Sequence, residues 1–132
     1  MALTRREVLA GGAALAAWPL FGDLSAAAEV PGGKLPDGAL VLVAQLTAKP
    51  GKEDEMKAAL VEMVAPTLEE EGCLCYNLHQ SQKDKAQFMF YEQWADKEAL
   101  DKHGKSPHMK TMQGKLKGLV AKGGATFYEL LR

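Results

Sequence analysis

The chain has 132 residues and is close to electrical neutrality, with 16 lysines and arginines against 17 aspartates and glutamates. No basic stripe is present, which gives no support for nucleic-acid binding. Once a leader is set aside, the length is enough for one compact domain and too short for two.

An export signal is predicted at the N-terminus. Arg5 and Arg6 directly precede an apolar run over residues 9–20, and small residues follow up to Ala28. This order is typical of a twin-arginine signal peptide, and the run is shorter than the ~20 residues that span a bilayer. The mature protein is therefore expected in the periplasm or secreted, without a stable membrane span. A retained anchor and a cytosolic amphipathic tail are the alternatives.

Three segments follow from this interpretation: a twin-arginine signal peptide over residues 1–28, a linker over 29–38 and a folded domain over 39–132. The linker is rich in proline and glycine and has no apolar period, so it is expected to tether the domain without folding.

The first strand and helix are predicted from an apolar run followed by a helical repeat. Residues 40–46 form a valine-containing run that ends at Pro50 and Gly51, which indicates a buried strand. The next segment has acidic residues in its first turn, where the helix dipole favours them. Its apolar stripe consists of Met56, Leu60, Met63, Val64 and Leu68. Pro66 is expected to kink this helix or shorten its end.

A hairpin is predicted next, after Gly72 ends the helix. Residues 73–80 alternate as in a strand, residues 81–86 form a polar turn, and residues 87–94 form an aromatic-rich strand.

Two short helices and a strand complete the domain. Asp96 is expected to cap a helix that ends near Gly104, and Ser106 followed by Pro107 suits the start of another. The last strand is predicted over residues 125–131, after two glycines. The order strand, helix, strand, strand, helix, strand is that of an α+β, ferredoxin-like βαββαβ fold. Both faces of the predicted sheet have apolar residues, so we expect a homodimer with the two sheets face to face.

The order of several short motifs resembles the antibiotic biosynthesis monooxygenase family, which includes small quinol monooxygenases. The motifs are Lys49-Pro50-Gly51-Lys52, Glu71-Gly72-Cys73 with Tyr76 and His79, Phe90-Tyr91-Glu92-Gln93-Trp94, Ala99-Leu100, His103 and Ser106-Pro107-His108. The resemblance implies a dimeric α+β barrel. It also implies a monooxygenase that needs no cofactor and combines a small aromatic substrate with molecular oxygen. An asparagine and a tryptophan are expected in the pocket.

The register of the hairpin determines which polar residues can form one site. If Gln80 pairs with Gln87, Asn77 and His79 share a face with Phe90, Glu92 and Trp94, whereas a shift of one residue separates the two sets. The site predicted with the first register has His79, Asn77 and Glu92 as catalytic residues. Trp94 and Phe90 are expected to bind the substrate, with His103 and His108 near the entrance.

Within this site, His79 is the predicted base because its ordinary pKa of ~6.5 lies near working pH. Asn77 and the indole N–H of Trp94 are expected to donate to an oxyanion. Glu92 would orient His79 or hold a substrate hydroxyl. A deprotonated phenol or quinol is electron-rich enough to reduce oxygen directly. The alternatives are a non-enzymatic carrier of a small aromatic molecule or haem, and an isomerase that acts on an enolisable ligand.

No metal site is predicted. His103 and His108 are five residues apart with Gly104 and Pro107 between them, which is not the spacing of two ligands on one helical face. Cys73 and Cys75 are two apart in a strand, where a disulfide between them would be strained, and packing is the simpler interpretation.

Overall fold

Four antiparallel strands form one sheet in the order β2-β3-β1-β4. The computed structural model describes residues 35–131, and the predicted signal peptide lies outside them. The strands are β1 Leu40–Ala48, β2 Cys73–Gln80, β3 Gln87–Trp94 and β4 Val120–Tyr128. The helices are α1 Glu53–Val61, α2 Val64–Leu68, α3 Lys97–Gly104 and α4 Pro107–Leu116. The predicted ferredoxin-like α+β fold is confirmed.

The break between α1 and α2 lies four residues before Pro66. Proline has no N–H to donate to the carbonyl of Glu62, and its ring crowds that carbonyl. The helix therefore ends at Val61 and restarts at Val64. Met56, Leu60 and Met63 of the predicted stripe are buried. Leu68 is not, because the restarted helix turns it to solvent with 51% of its surface exposed.

The last strand begins five residues earlier than the sequence predicted, and its two glycines lie inside it. Gly123 pairs with Leu46 of β1, and a Cβ on Gly123 would lie 3.4 Å from Leu46 Cδ2. The missing side chain leaves room for Leu46, which explains a glycine in the middle of a strand. The turn before β4 is made by Gly118, with a φ of +80°.

The core lies between α1, α4 and the helix-facing side of the sheet. The largest side chains with almost no exposed surface include Trp94, Tyr76, Met56 and Leu60. By contrast, β4 is exposed over nearly its whole length. Within residues 35–131, none of the helices has the length and apolar character needed to cross a lipid bilayer.

Candidate functional site

A cavity of about 630 Å³ lies between the sheet and the region where α3 meets α4. Its walls include Leu42, Ala44, Glu92, Leu100, His103 and Ala125. Apolar side chains make up much of this wall, His103 and Glu92 are its buried titratable groups, and the exposed Asp101 and Lys105 also line the cavity. A cavity of this size and character suits a small aromatic molecule.

The hairpin pairs one residue away from the register on which the predicted site depended. Gln80 lies opposite Phe88, not opposite Gln87. The turn explains the difference, because Ser81 N–H donates to the carbonyl of Gln87 at 2.9 Å and so takes the place across from it. The Ser81 hydroxyl in turn accepts from the backbone N–H of Asp84 at 3.2 Å.

This register separates the predicted site residues into two groups. Directly paired residues share a face of a sheet, so Phe90, Glu92 and Trp94 lie under the helices, where they are buried. Asn77 and His79 lie on the open face and are exposed. The predicted grouping of these five side chains in one site is therefore wrong. His79 borders a separate groove of about 550 Å³ at one end of the sheet.

Trp94 and Glu92 form a buried pair beneath the helices. The indole Nε1 of Trp94 donates to Glu92 Oε2 at 2.8 Å, and Glu92 is 4% exposed. Burial raises the pKa of Glu92, although the hydrogen bond from Trp94 opposes the rise. The indole N–H is thus already used, and the expectation that it donates to a substrate oxyanion does not fit this arrangement. Burial favours the protonated form of Glu92, and the O–H of that form is a donor that the arrangement can offer instead.

The sequence predicted His103 near the entrance of the site, whereas the structure places it in the interior. It is 2% exposed, and its ring centroid lies 4.7 Å from that of Trp94. His103 Nδ1 is hydrogen-bonded to Glu70 Oε2 at 2.7 Å. Burial lowers the pKa of His103, and the nearby Glu70 carboxylate opposes that effect. Nε2 is buried and has no hydrogen-bond partner among the described residues.

The same carboxylate also contacts the second histidine. His108 Nε2 lies 2.9 Å from Glu70 Oε1. The contact is short enough for an ion pair but does not have the direction of a hydrogen bond, and this nitrogen too is buried without a partner in the described part of the chain. Glu70 therefore lies between the imidazoles of His103 and His108, although the spacing of these two histidines in the sequence does not place them on one helical face.

The junction between α3 and α4 brings the histidines together. His103 is in the last turn of α3, and His108 is in the first turn of α4. Ser106 between them donates through its hydroxyl to the carbonyl of His103 at 2.7 Å and accepts from the N–H of Met109 at 3.2 Å. One buried serine thus caps α4 and holds the end of α3. The predicted start of α4 at Ser106 and Pro107 is confirmed.

Aromatic rings complete the surroundings of His103. The ring centroid of Tyr76 lies 4.7 Å from that of Phe90 and 5.5 Å from that of His103. Burial raises the pKa of the Tyr76 hydroxyl, so the phenol stays protonated at neutral pH. These rings surround the imidazole with apolar surface.

The two cysteines contribute no disulfide, since both are free thiols. Cys73 packs against the core, and burial, followed by the nearby Glu70 carboxylate, raises its pKa to about 11. A thiol with so high a pKa carries little thiolate at neutral pH and is a poor nucleophile or metal ligand. Packing remains the simpler interpretation of Cys73.

Glu70 is the functional candidate that the sequence analysis missed. A signal for it exists, because the buried stripe of α1 continues from Met63 to Thr67 and Glu70 at steps of four and three residues. The predicted stripe instead continued to Val64 and Leu68. Glu70 is also one of three consecutive glutamates, and only the turn after α2 determines which of the three points inward.

Comparison with known proteins assigns the family. The sequence model of the antibiotic biosynthesis monooxygenase family matches residues 39–115, more than half of the chain. The chain belongs to this family. The match covers β1 to α4 and so includes Glu70, Glu92, Trp94 and both histidines of the cluster.

Individual relatives agree with the family assignment. The crystal structure of PA3566 from Pseudomonas aeruginosa is similar with a TM-score of 0.71 and 31% identity, covering 75% of this chain and 100% of that one. A Bacillus subtilis protein named "Putative monooxygenase YcnE" is 30% identical over 64% of this chain and 81% of its own length. An uncharacterised protein of Synechocystis sp. is 30% identical over 65% of this chain. The match spans 58% of the length of that cyanobacterial relative.

Proposed function

We propose that this member of the antibiotic biosynthesis monooxygenase family is a cofactor-independent monooxygenase of small phenols or quinols. The observation that carries the proposal is the cavity beneath α3 and α4, where His103 and Glu92 meet an apolar wall. His103 has the features of a general base. Its Nδ1 is fixed by Glu70, and Nε2 has no hydrogen-bond partner among the described residues. A histidine oriented by a carboxylate in this way can take a proton and stabilise the resulting imidazolium.

The proposed reaction draws all its electrons from the substrate. His103 takes the proton of a phenol hydroxyl, and the phenolate then reduces oxygen. One oxygen atom replaces a ring hydrogen, the other leaves as water, and a phenol plus O₂ becomes a quinone plus H₂O. Protonated Glu92 donates a hydrogen bond to the oxyanion that develops on the substrate. Asn77 and His79 have no part in this version of the site, because they lie on the other face.

Oxygen uptake by the purified full chain tests the proposal. The assay uses a panel of hydroquinones and polyphenols without added metal or flavin, corrected for autoxidation. We expect saturable uptake, and we expect His103→Gln to lower kcat by about 10²- to 10⁴-fold, the usual contribution of a general base. Glu70→Gln should also lower kcat, because it removes the carboxylate partner of His103 Nδ1.

The alternatives give different results in the same experiment. Loss of uptake in His79→Gln but not in His103→Gln would return the base role to the open face. Tight binding of a panel member without oxygen uptake would indicate a carrier, and conversion under anaerobic conditions would indicate an isomerase. Circular dichroism of each variant separates loss of a catalytic group from loss of fold.

The open face of the sheet supports a second part of the proposal, a homodimer with sheets face to face. Of the described residues that point to this face, Lys122 is the one with a permanent charge. Val43, Tyr91 and Thr126 lie side by side across its centre. A broad uncharged sheet face is typical of an interface between identical subunits.

We also propose export of the mature domain by the twin-arginine route. The proposal is supported by Arg5 and Arg6 ahead of the apolar run over residues 9–20, the order that is typical of an export signal. Fractionation of expressing cells is the measurement that decides it. Retention of the whole chain in the cytoplasm would contradict it.

A further inference from the structure

Three potential metal ligands meet at the junction of α2, α3 and α4. One carboxylate oxygen of Glu70 and one ring nitrogen each of His103 and His108 all lie within 4.8 Å of one another. The nitrogens nearest the carboxylate are His103 Nδ1 at 2.7 Å and His108 Nε2 at 2.9 Å. The residues come from three different segments, so the fold and not a local helical repeat brings them together.

The contacts within the cluster leave one of these nitrogens unsatisfied. His108 Nε2 is buried and makes no hydrogen bond within the described residues, although it faces a carboxylate oxygen at 2.9 Å. A buried polar atom without a partner costs free energy. A cation between His108 and Glu70 would satisfy this nitrogen and neutralise the carboxylate.

We propose that Glu70, His103 and His108 form a binding site for a divalent first-row transition metal ion. Two imidazoles and one carboxylate are the donor set of many zinc and non-haem iron sites, and three protein ligands leave coordination positions open. Calcium and magnesium prefer oxygen ligands and do not match this set. Of the three ligands, His103 also lines the substrate cavity, whereas Glu70 and His108 do not.

The ligand atoms must move to hold an ion. Ligand atoms about 2.0–2.1 Å from a tetrahedral ion are roughly 3.3 Å apart. The two contacts to Glu70 must therefore widen by about half an ångström, and the two histidine nitrogens, which lie within 4.8 Å of each other, must reach the same spacing. Glu70 and His108 can make this change because their side chains are 18% and 23% exposed, whereas His103 is held rigidly by the core. The partial exposure also gives an ion a path from solvent.

Metal binding would have a consequence for the proposed oxygenase, and this step rests on that proposed function. An ion on Nδ1 of His103 takes the lone pair of that nitrogen, so the ring proton must be on Nε2. Nε2 can then no longer accept a proton from a substrate. Occupancy of the metal site would thus inhibit the proposed oxygenase reaction, which needs no metal.

Calorimetric titration of the chelator-treated full chain with Zn²⁺ tests the site without any substrate. We expect one ion per chain. Loss of a residue that hydrogen-bonds to a metal ligand typically costs 10- to 100-fold in affinity, so loss of a ligand itself in His108→Ala or Glu70→Gln should cost at least about 100-fold. His79→Ala is the matched control, because the chain has three histidines and His79 lies on the open face. This variant should bind as the parent does.

Co²⁺ gives a second readout, since visible absorption bands report coordination by nitrogen and oxygen. They should be present in the parent and in His79→Ala, and absent in His108→Ala. Absence of binding in the parent would overturn the proposal, as would affinity unchanged in both His108→Ala and Glu70→Gln. Equal loss in His79→Ala would mean that the histidines bind zinc non-specifically and would also overturn it. Oxygen uptake plays no part in these outcomes, so the metal site and the oxygenase fail or succeed separately.

Discussion

Glu92 is a carboxylate in a place where its neutral form is favoured. Burial raises its pKa, so the folded chain holds this proton more tightly than the unfolded chain does. The resulting stabilisation is complete below the unfolded pKa of about 4.3 and is lost as pH rises through the folded pKa. The ionised form of Glu92 therefore works against folding.

A glutamine at this position should remove that pH dependence. Glu92→Gln keeps a carbonyl oxygen that can accept from Trp94 Nε1 and does not titrate. We expect the free energy of unfolding of the variant to rise relative to the parent as pH increases through the raised pKa of Glu92 in the folded chain, where the parent gives up a proton. Urea denaturation at a pH below the unfolded pKa of about 4.3 and at an alkaline pH measures the difference. A gap that is the same at both pH values would contradict the assignment of a raised pKa.

The residue scale is also where prediction from sequence was weakest. The presence of Trp94 and Phe90 in one site follows from motifs and alternation, whereas His103 was predicted near the entrance and is buried. The helical stripe could have indicated that Glu70 points inward, but it could not identify the partner of Glu70. The hydrogen bond between Glu70 and His103 joins residues 33 positions apart, and no periodicity in the sequence reports a contact between separate elements.

Among the elements, the packing of α3 against the start of β2 depends on one glycine. Gly72 has a φ of +85°, and a Cβ there would lie 2.5 Å from the Cβ of Ala99 in α3. Gly118 has nearly the same φ, +80°, with nothing within 4 Å. The two positions thus share the same backbone constraint but differ in the space available to a side chain.

Alanine substitutions at Gly72 and Gly118 should separate the backbone strain of a positive φ from steric crowding by α3. Gly118→Ala is expected to cost about 1–2 kcal/mol, the penalty of a left-handed conformation for a residue with a Cβ. Gly72→Ala should cost that plus about 1–3 kcal/mol for displacing α3. Thermal or urea unfolding gives both values. Equal losses in the two variants would mean that α3 moves aside freely, against the packing described here.

The elements themselves were largely predictable. Strand and helix types follow from alternation, from the caps at Asp96 and Ser106, and from the break at Pro66. The predictions that were wrong concern features that tertiary contacts determine. Gly123 belongs to β4 because the side chain of Leu46 fills the space beside it, and the register of β2 with β3 is set by hydrogen bonds within the turn.

At the scale of the whole molecule, the open face of the sheet should determine assembly. Thr126 is exposed and lies beside Val43 near the middle of this face. Thr126→Arg would place a charge within the proposed interface, where desolvation and like-charge repulsion across a two-fold axis oppose association. We expect a dimer for the parent and a monomer for the variant in sedimentation velocity.

A matched substitution on the helical side controls for the effect of the added charge. Thr111 is exposed in α4, so Thr111→Arg introduces the same side chain away from the open face. This variant should remain dimeric. A monomeric parent, or a dimer that persists in Thr126→Arg, would argue against assembly through this face.

The hairpin turn has a consequence for the order of folding events. A hairpin closes in about 1–10 μs because its partners are near in sequence, whereas the contact between Glu70 and His103 must wait for loops from separate elements to close. The residues of the turn, from Ser81 to Gln87, therefore determine which side chains will be inside before any helix has docked. A chain that closed this turn one residue out of register would present Asn77 and His79 to the helices and would have to reopen before it could fold. The register set by this turn is therefore a condition for the assembly of the Glu70 cluster at the other end of the hairpin.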